Sequence, residues 1–147
     1  MAELIDKNKF ETYTKIANEF GTPAYVFDKD EFEYRINHIK KAATAFDEFR
    51  VNTKIYYASK SLLTVQIAKM ILENDLYIDC CSEGEILIAE KGAEGLSDYG
   101  KRFSLHGNNK TVSEIEYAIN NNFSHLVIDS DDEIDFVNDI AKRLDKK

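Results

Sequence analysis

The sequence predicts an α/β fold built from consecutive βα units, each a strand followed by a helix. Four apolar, strand-like runs begin near Lys54, Tyr77, Arg102 and His125, at separations of 23, 25 and 23 residues. A stretch with helical spacing of apolar residues follows each run. Three Ser/Thr-x-x-Glu sequences, typical of helix starts, lie where a strand gives way to a helix. Four such units predict parallel strands, because each crossover helix returns the chain in the same direction.

Three further elements are predicted before the periodic part. A helix is expected over 10–20, and Gly21 and Pro23 end it. A short strand is expected at 24–27, where strand-forming residues cluster. Asp28 is a candidate N-cap of a second helix, with Glu31 three residues later. The apolar stripe predicted for that helix comprises Phe32, Ile36, Ile39, Ala43 and Phe46.

The periodic part fits two architectures. One is a complete, doubly wound sheet, and the other is half of a (βα)8 barrel, which takes about 250 residues in all. A half barrel leaves two strand edges unpaired and one sheet face uncovered. The strand-like cores are Ile-Tyr-Tyr-Ala at 55–58, Ile-Asp-Cys-Cys at 78–81, Phe-Ser-Leu at 103–105 and Leu-Val-Ile at 126–128. The spacing alone leaves both architectures open.

Composition excludes several classes of protein. The chain has 147 residues, 44% hydrophobic and 31% charged, and a net charge of −8 with no basic block. This balance is typical of a single globular domain and argues against binding to nucleic acid or to anionic membranes. No apolar run approaches the roughly 20 residues of a membrane span, and the amino terminus lacks a signal-peptide pattern. Two adjacent cysteines cannot build a disulfide framework, so a cytoplasmic location is expected.

Polar residues collect at the predicted carboxyl ends of the strands, where both architectures place active sites. Lys60 follows the first strand, and partial desolvation there would help its amine to lose a proton and form a Schiff base with a carbonyl compound. It could equally be a lysine that ends a strand and reaches solvent. Asp79 interrupts the second apolar run and needs a partner if buried, for which Lys60 is the natural candidate. It could also face water at a strand end.

The remaining polar positions have structural interpretations. The place of Glu85 in Ser82-x-x-Glu85 favours helix capping. Cys80 and Cys81 should point to opposite faces of their strand and act as small buried residues, and with three histidines in the chain no metal site is expected. The segment 106–110, which holds His106 and Asn109, could be an ordinary polar turn. No G-x-G-x-x-G or Walker-type loop occurs.

At these motifs the sequence resembles the amino-terminal part of diaminopimelate decarboxylases, within the fold-type III pyridoxal-phosphate (PLP) enzymes that share an alanine-racemase-like barrel. The matching phrases occur in family order over almost the whole chain. They are Gly-Thr-Pro-Ala-Tyr-Val-Phe-Asp at 21–28, Tyr-Ala-Ser-Lys at 57–60, Asp-Cys-Cys-Ser-Glu-Gly-Glu at 79–85 and His-Gly-Asn-Asn-Lys at 106–110. The last phrase favours the diaminopimelate branch over ornithine and arginine relatives. Ser61-Leu62 and Cys80-Cys81 depart from the family pattern.

The resemblance implies a fold, a cofactor and a reaction. The fold would be a partial (βα)8 barrel of four βα units, preceded by the helix and short strand. Lys60 would bind PLP as a Schiff base, with Ala58 and Asp79 beside the cofactor and His106 and Asn109 near the site. The cofactor would accept electrons as CO2 leaves an amino-acid substrate, which converts meso-diaminopimelate to L-lysine.

The resemblance also sets expectations for the whole protein. Residues 1–147 would be the amino-terminal half of the barrel, without its carboxyl-terminal half and β-domain, and the full-length enzyme would be a homodimer. We expect the 147-residue chain alone to be inactive, because most of the family's cofactor-binding groups would be absent. The alternatives are a related decarboxylase of the ornithine, arginine or carboxynorspermidine type, and a non-catalytic, doubly wound binding or interaction module.

Overall fold

The computed structural model describes residues 7–146. The chain forms two compact units, of which the first ends at Ile39 and the second begins at Lys40. Among the described residues, no helix is long and apolar enough to cross a bilayer.

The first unit contains helix α1, Lys7–Phe20, and most of helix α2, Lys29–Ala43. Gly21 ends α1 with a φ of +82°, a conformation that favours glycine, and its N–H donates to the carbonyl of Ala17 over 2.9 Å. Asp28 caps α2, since its Oδ1 accepts a hydrogen bond of 3.0 Å from the Glu31 N–H. The predicted end of α1 and the predicted start of α2 are confirmed, while α1 begins at Lys7, three residues before its predicted start.

The short strand predicted at 24–27 is wrong. Residues 24–27 are exposed, Tyr25 completely so, and among residues 7–146 no strand pairs with them. Strand-forming side chains favour extended backbone, but a strand exists only where another strand takes its hydrogen bonds. The predicted stripe of α2 also holds only in part, because Ile36 is buried while Phe46 lies exposed beyond the helix in a 3₁₀ segment, Thr44–Phe49.

The second unit contains the four predicted βα units. Its strands are short, and each is followed by one helix. The strands are β1, Tyr56–Ala58; β2, Tyr77–Cys80; β3, Phe103–Leu105; and β4, His125–Leu126. The helices are α3, Val65–Glu73; α4, Glu83–Gly92; α5, Val112–Asn120; and α6, Asp131–Arg143.

The strand order distinguishes the two architectures. All neighbouring strands are parallel, and they lie in the order β1-β2-β3-β4, the order in which the chain makes them. A doubly wound sheet reverses its strand order at a switch point, whereas a barrel adds each strand beside the previous one. The sheet is therefore of the barrel type, and the doubly wound alternative is wrong for this chain.

One face of the sheet forms the core. Ile78, Cys80, Phe103 and Leu105 alternate along β2 and β3, and all four are completely buried. Buried residues of the helices pack into the same core, among them Ile71 of α3, Ile86 of α4 and Ile115 of α5. The opposite face carries Tyr56 and Ala58 of β1, Tyr77 and Asp79 of β2, and Ser104 of β3. That face is more open, since Ala58 is exposed and Asp79 half-buried.

Helices α3 and α4 approach closely behind the sheet. A Cβ atom on Gly92 would lie 2.5 Å from the Cβ of Ala68 and 3.0 Å from the backbone of Lys69. Glycine at position 92 therefore lets the backbone of α4 contact the side chain of Ala68 in α3.

Only one of the three predicted capping boxes is complete. Thr111 and Glu114 form both reciprocal hydrogen bonds at the start of α5. At the start of α4, Ser82 accepts from the Glu85 N–H over 3.4 Å, but the Glu85 side chain turns elsewhere. At the start of α6, Ser130 makes no capping hydrogen bond. The local pattern locates all three helix starts correctly but not all of the side-chain contacts.

Candidate functional site

The carboxyl ends of β1, β2 and β3 bring polar side chains together on the open face of the sheet. Ala58 is aligned with Asp79, and Asp79 is aligned with Ser104. Aligned residues of parallel strands point to the same face. His106 follows β3 directly, and its N–H donates to the carbonyl of Cys80 over 2.8 Å, so the alignment continues beyond the strand ends.

Asp79 is the centre of this edge. Ser104 Oγ donates a hydrogen bond of 2.5 Å to Asp79 Oδ1, and His106 Nδ1 lies 3.6 Å from Asp79 Oδ2. Ser104 is buried, which is unusual for serine within an apolar strand and indicates a specific partner. Ser104 is not among the residues predicted for the site, although a hydroxyl between Phe103 and Leu105 is a sequence signal for it.

Lys60 lies in a single 3₁₀ turn, Ser59–Ser61, directly after β1. Its side chain is exposed, and within the part of the chain that the structure describes its amine makes no hydrogen bond or ion pair. The ion pair predicted between Lys60 and Asp79 is therefore not formed. Lys60 lies in this turn and not in β1, so its side chain does not follow the alternation that aligns Ala58 with Asp79. The partners of Asp79 are Ser104 and His106 instead.

Lys60 nevertheless lies at the same edge, because its turn directly follows the carboxyl end of β1, and its charge acts on the thiol of Cys81. Partial burial raises the pKa of Cys81, and the carboxylates of Glu85 and Asp79 raise it further, while Lys60 opposes them. Cys81 is half-buried and Cys80 is completely buried. The prediction that both act as small buried residues is thus correct for Cys80 and wrong for Cys81, which lies just past the end of β2.

Glu85 fixes the turn that presents Lys60. Its Oε2 contacts the hydroxyl of Ser59 and accepts a hydrogen bond of 2.6 Å from the Cys81 N–H. Ser59 Oγ also lies 2.7 Å from the carbonyl oxygen of Asp79. The predicted capping role of its side chain is wrong, because Glu85 joins the ends of β1 and β2 instead. This contact spans 26 residues of sequence, and the local pattern contains no signal for it.

The segment 106–110 forms a braced loop. Gly107 has a φ of +144°, which favours glycine. The amine of Lys110 is almost completely buried and donates to the Gly107 carbonyl over 2.5 Å and to both oxygens of Glu133 over 2.8 and 2.9 Å. Burial alone would raise the pKa of Glu133, but the hydrogen bonds from Lys110 and from the Asp129 N–H outweigh it, so that pKa is lowered.

Of the residues predicted for the site, the structure brings Ala58, Asp79 and His106 onto one face and places Lys60 at the same edge. Asn109 lies exposed in the loop, and no contact joins it to Lys60 or Asp79 within the described part of the chain. A primary amine that has no ion-pair partner within residues 7–146, at the same sheet edge as a carboxylate and an imidazole, can attack a carbonyl carbon after it has released a proton.

Comparison with known proteins agrees with this chemistry. The family model described as "Pyridoxal-dependent decarboxylase, pyridoxal binding domain" matches residues 35–146. That range includes all four βα units and every residue of the edge described above.

The individual relatives are named as diaminopimelate decarboxylases. The diaminopimelate decarboxylase of Staphylococcus aureus is 40% identical over 127 residues, which cover 86% of this chain and 28% of that protein. The diaminopimelate decarboxylase of Mycobacterium leprae is 38% identical over 128 residues, 87% of this chain and 25% of that protein. The crystal structure of the diaminopimelate decarboxylase of M. jannaschii superimposes with a TM-score of 0.78 at 28% identity, covering 88% of this chain and 29% of that one.

The chain thus spans between a quarter and a third of the length of these relatives. Its parallel sheet, built in sequence order, agrees with the barrel structures that it matches. The family match covers well over half of the chain. The chain belongs to the pyridoxal-dependent decarboxylase family, through the pyridoxal-binding domain of that family.

Proposed function

We propose that this chain supplies the amino-terminal half of the cofactor barrel of a PLP-dependent decarboxylase, and that the complete enzyme converts meso-diaminopimelate to L-lysine and CO2. The observation that carries the proposal is the exposed amine of Lys60, which has no hydrogen-bond or ion-pair partner within residues 7–146, at the carboxyl edge of a barrel-type sheet. The match to the pyridoxal-binding domain supports it.

The residues of the edge fit the reactive end of this cofactor. The amine of Lys60 is available to bind an aldehyde, and Ala58 beside it has only a methyl group to obstruct a flat ring. A Cβ atom on Gly84, at the start of α4, would meet nothing within 4 Å. The start of α4 therefore leaves open space at this position. Among the described residues, there is no glycine-rich loop to bind the phosphate group of the cofactor.

The chain's own residues would hold the cofactor and move protons. When bound, PLP supplies an electron sink for the carbon that loses CO2. Lys60 would hold the cofactor covalently through Nζ after releasing a proton from that atom. Asp79, fixed through Oδ1 by Ser104, can accept a hydrogen bond at Oδ2. Glu85 would keep the Lys60 turn against the end of β2 through Ser59 and the Cys81 N–H.

The proposed substrate follows from the relatives. Those from S. aureus and M. leprae are diaminopimelate decarboxylases, and the M. jannaschii and Helicobacter pylori enzymes were crystallised with L-lysine. We propose a homodimer and a cytoplasmic location for the complete enzyme. Both cysteines are free, which agrees with a reducing compartment.

Reductive labelling tests the role of Lys60. The full-length gene product is incubated with PLP, reduced with borohydride and mapped by peptide mass spectrometry. We expect one label per chain, on Lys60, and its loss in Lys60→Ala. The control Lys69→Ala removes an exposed lysine on α3 and should leave the label unchanged. A label distributed over surface lysines, or retained in Lys60→Ala, would contradict the proposal.

Carbon dioxide release tests the substrate. The same protein is assayed with meso-diaminopimelate, ornithine, arginine and carboxynorspermidine. We expect the largest kcat/KM for meso-diaminopimelate and no turnover by Lys60→Ala. A preference for one of the other amines would assign the chain to another branch of the family, while labelling at Lys60 would still support the cofactor site.

A further inference from the structure

The edge of the sheet holds a second arrangement, which shares Asp79 with the proposed cofactor site. One ligand atom each of Asp79, Cys81 and His106 lies within 4.8 Å of the other two. All three side chains are half-buried, so an ion could reach them from solvent. The sequence predicts no metal site, because Cys80 and Cys81 face opposite ways, and it carries no signal that joins Cys81 to residues of other motifs.

The sheet register explains why these three side chains meet. Asp79 and Cys81 are two residues apart at the end of β2, so they point to the same face. His106 follows β3, and its N–H donates to the carbonyl of Cys80 over 2.8 Å, which sets it beside Cys81. The three residues come from two neighbouring strand ends, held by backbone hydrogen bonds that do not depend on an ion.

The donor set selects a class of ion. A thiolate, an imidazole nitrogen and a carboxylate oxygen are the protein ligands of zinc, whereas magnesium and calcium take oxygen ligands. Three protein ligands and an open fourth position are the usual composition of an accessible zinc site. Asp79 is also oriented for this role, since Ser104 Oγ holds Oδ1 and leaves Oδ2 toward His106 Nδ1, 3.6 Å away.

From this geometry we infer that Asp79, Cys81 and His106 form a binding site for a divalent ion of the zinc class. The site shares the sheet edge with Lys60 but does not include its amine. Its test reads bound metal on protein without PLP, so the test does not depend on the proposed enzymatic function.

Cobalt titration of the full-length gene product, reduced and freed of metal, tests the site. We expect one Co²⁺ per chain, with a thiolate-to-cobalt charge-transfer band and intense tetrahedral ligand-field bands. Zinc should then displace cobalt and abolish both. Cys81→Ser should abolish the charge-transfer band. His106→Gln should weaken Co²⁺ binding by about 10- to 100-fold or more, because loss of a residue that only hydrogen-bonds to a metal ligand already has an effect of that size.

Cys80→Ala is the matched control, because it removes the adjacent thiol, which lies in the core. It should keep the charge-transfer band, and far-ultraviolet circular dichroism would show that each variant is folded. If Cys80→Ala fails to fold, alkylation of the accessible Cys81 in the wild-type protein should abolish the band instead. Absence of the band in the wild-type protein, or its persistence in Cys81→Ser, would overturn the inference. Labelling of Lys60 by PLP would stand in either case.

Discussion

At the scale of single residues, the carboxylate of Glu85 links two strand ends beside Lys60. It contacts the hydroxyl of Ser59, which is buried, and the N–H of Cys81. A buried polar group that loses its partner carries a desolvation cost that water cannot remove. Glu85 is therefore important both for the stability of the edge and for the position of the Lys60 turn.

We predict that Glu85→Ala lowers the free energy of unfolding by about 1–3 kcal/mol, because the Cys81 N–H loses its acceptor and Ser59 keeps only the carbonyl of Asp79. Urea denaturation followed by circular dichroism measures this. Glu83→Ala is the control, since it removes an exposed carboxylate from the same first turn of α4, and we expect a loss of at most about 0.5 kcal/mol. Equal losses in the two variants would show that the carboxylate acts only on the helix dipole.

A second prediction at this scale concerns Asp28. Hydrogen bonds from Lys9 over 2.6 Å and from the Glu31 N–H lower the pKa of Asp28 to about 2. Since this pKa lies below its unfolded value of about 3.9, the contribution of Asp28 to stability is complete above about pH 4 and is lost as the pH falls toward 2.

Carbon-13 NMR of the Asp28 carboxyl group measures this titration directly. The midpoint should lie near 2 in the wild-type protein and move upward in Lys9→Met, which removes the strongest hydrogen bond. A wild-type midpoint near the unfolded value would contradict the contacts between α1 and the cap of α2.

The sequence predicted part of the site at this scale. Asp79 and His106 could be recognised as polar residues at strand ends. Ser104 and Cys81 could not be assigned to them, because their meeting depends on the register between β2 and β3. The Lys60–Asp79 pair was wrong for the same reason, since neighbouring strand ends do not specify which side chains touch.

At the scale of elements, the three Ser/Thr-x-x-Glu sequences show that a local pattern predicts where a helix begins but not which groups its side chains bind. Each marks a helix start, but only Glu114 returns to its own cap. Glu85 and Glu133 instead bind groups distant in sequence, the Ser59 hydroxyl and the buried amine of Lys110. A buried amine is a stronger partner for a carboxylate than an exposed backbone N–H, and it cannot be read from a four-residue pattern.

These differences predict unequal costs of removing the caps. Thr111→Ala should lower the free energy of unfolding by about 1 kcal/mol, because it removes the acceptor of the Glu114 N–H. Ser130→Ala should change it by no more than about 0.5 kcal/mol, since Ser130 makes no capping hydrogen bond. Urea denaturation of both variants provides the comparison, and a larger loss in Ser130→Ala would contradict the assigned caps.

At the scale of the whole molecule, the second unit is a sheet with one buried face and one open face. The spacing of 23, 25 and 23 residues predicted four βα units, and the structure has them, with strands beginning at Tyr56, Tyr77, Phe103 and His125. The choice between a barrel and a doubly wound sheet depends on strand order, which spacing does not determine. The short strand at 24–27 was wrong because pairing, like strand order, is a property of the folded sheet.

The last βα unit is attached to the third by a buried ion pair. Lys110 and Glu133 have side chains 1% and 10% exposed, and they join the loop after β3 to α6. Lys110→Met should lower the free energy of unfolding by about 3 kcal/mol or more, because it leaves the Glu133 carboxylate buried without its partner.

Lys101→Met is the matched control, since it removes a lysine whose ion pair with Asp98 is exposed, and it should cost at most about 1 kcal/mol. Thermal and urea denaturation of both variants decide the comparison. A cost for Lys110→Met no larger than that for Lys101→Met would show that the pair does not hold the last unit in place.

Hydrogen exchange with and without PLP, read by mass spectrometry, tests most directly the claim that the open face of the sheet receives the cofactor at Lys60. In the full-length gene product, we predict that PLP slows hydrogen exchange in peptides containing 58–61, 79–82 and 104–107, and that Lys60→Ala abolishes the effect. Protection confined to the helices, or unchanged by Lys60→Ala, would contradict the account.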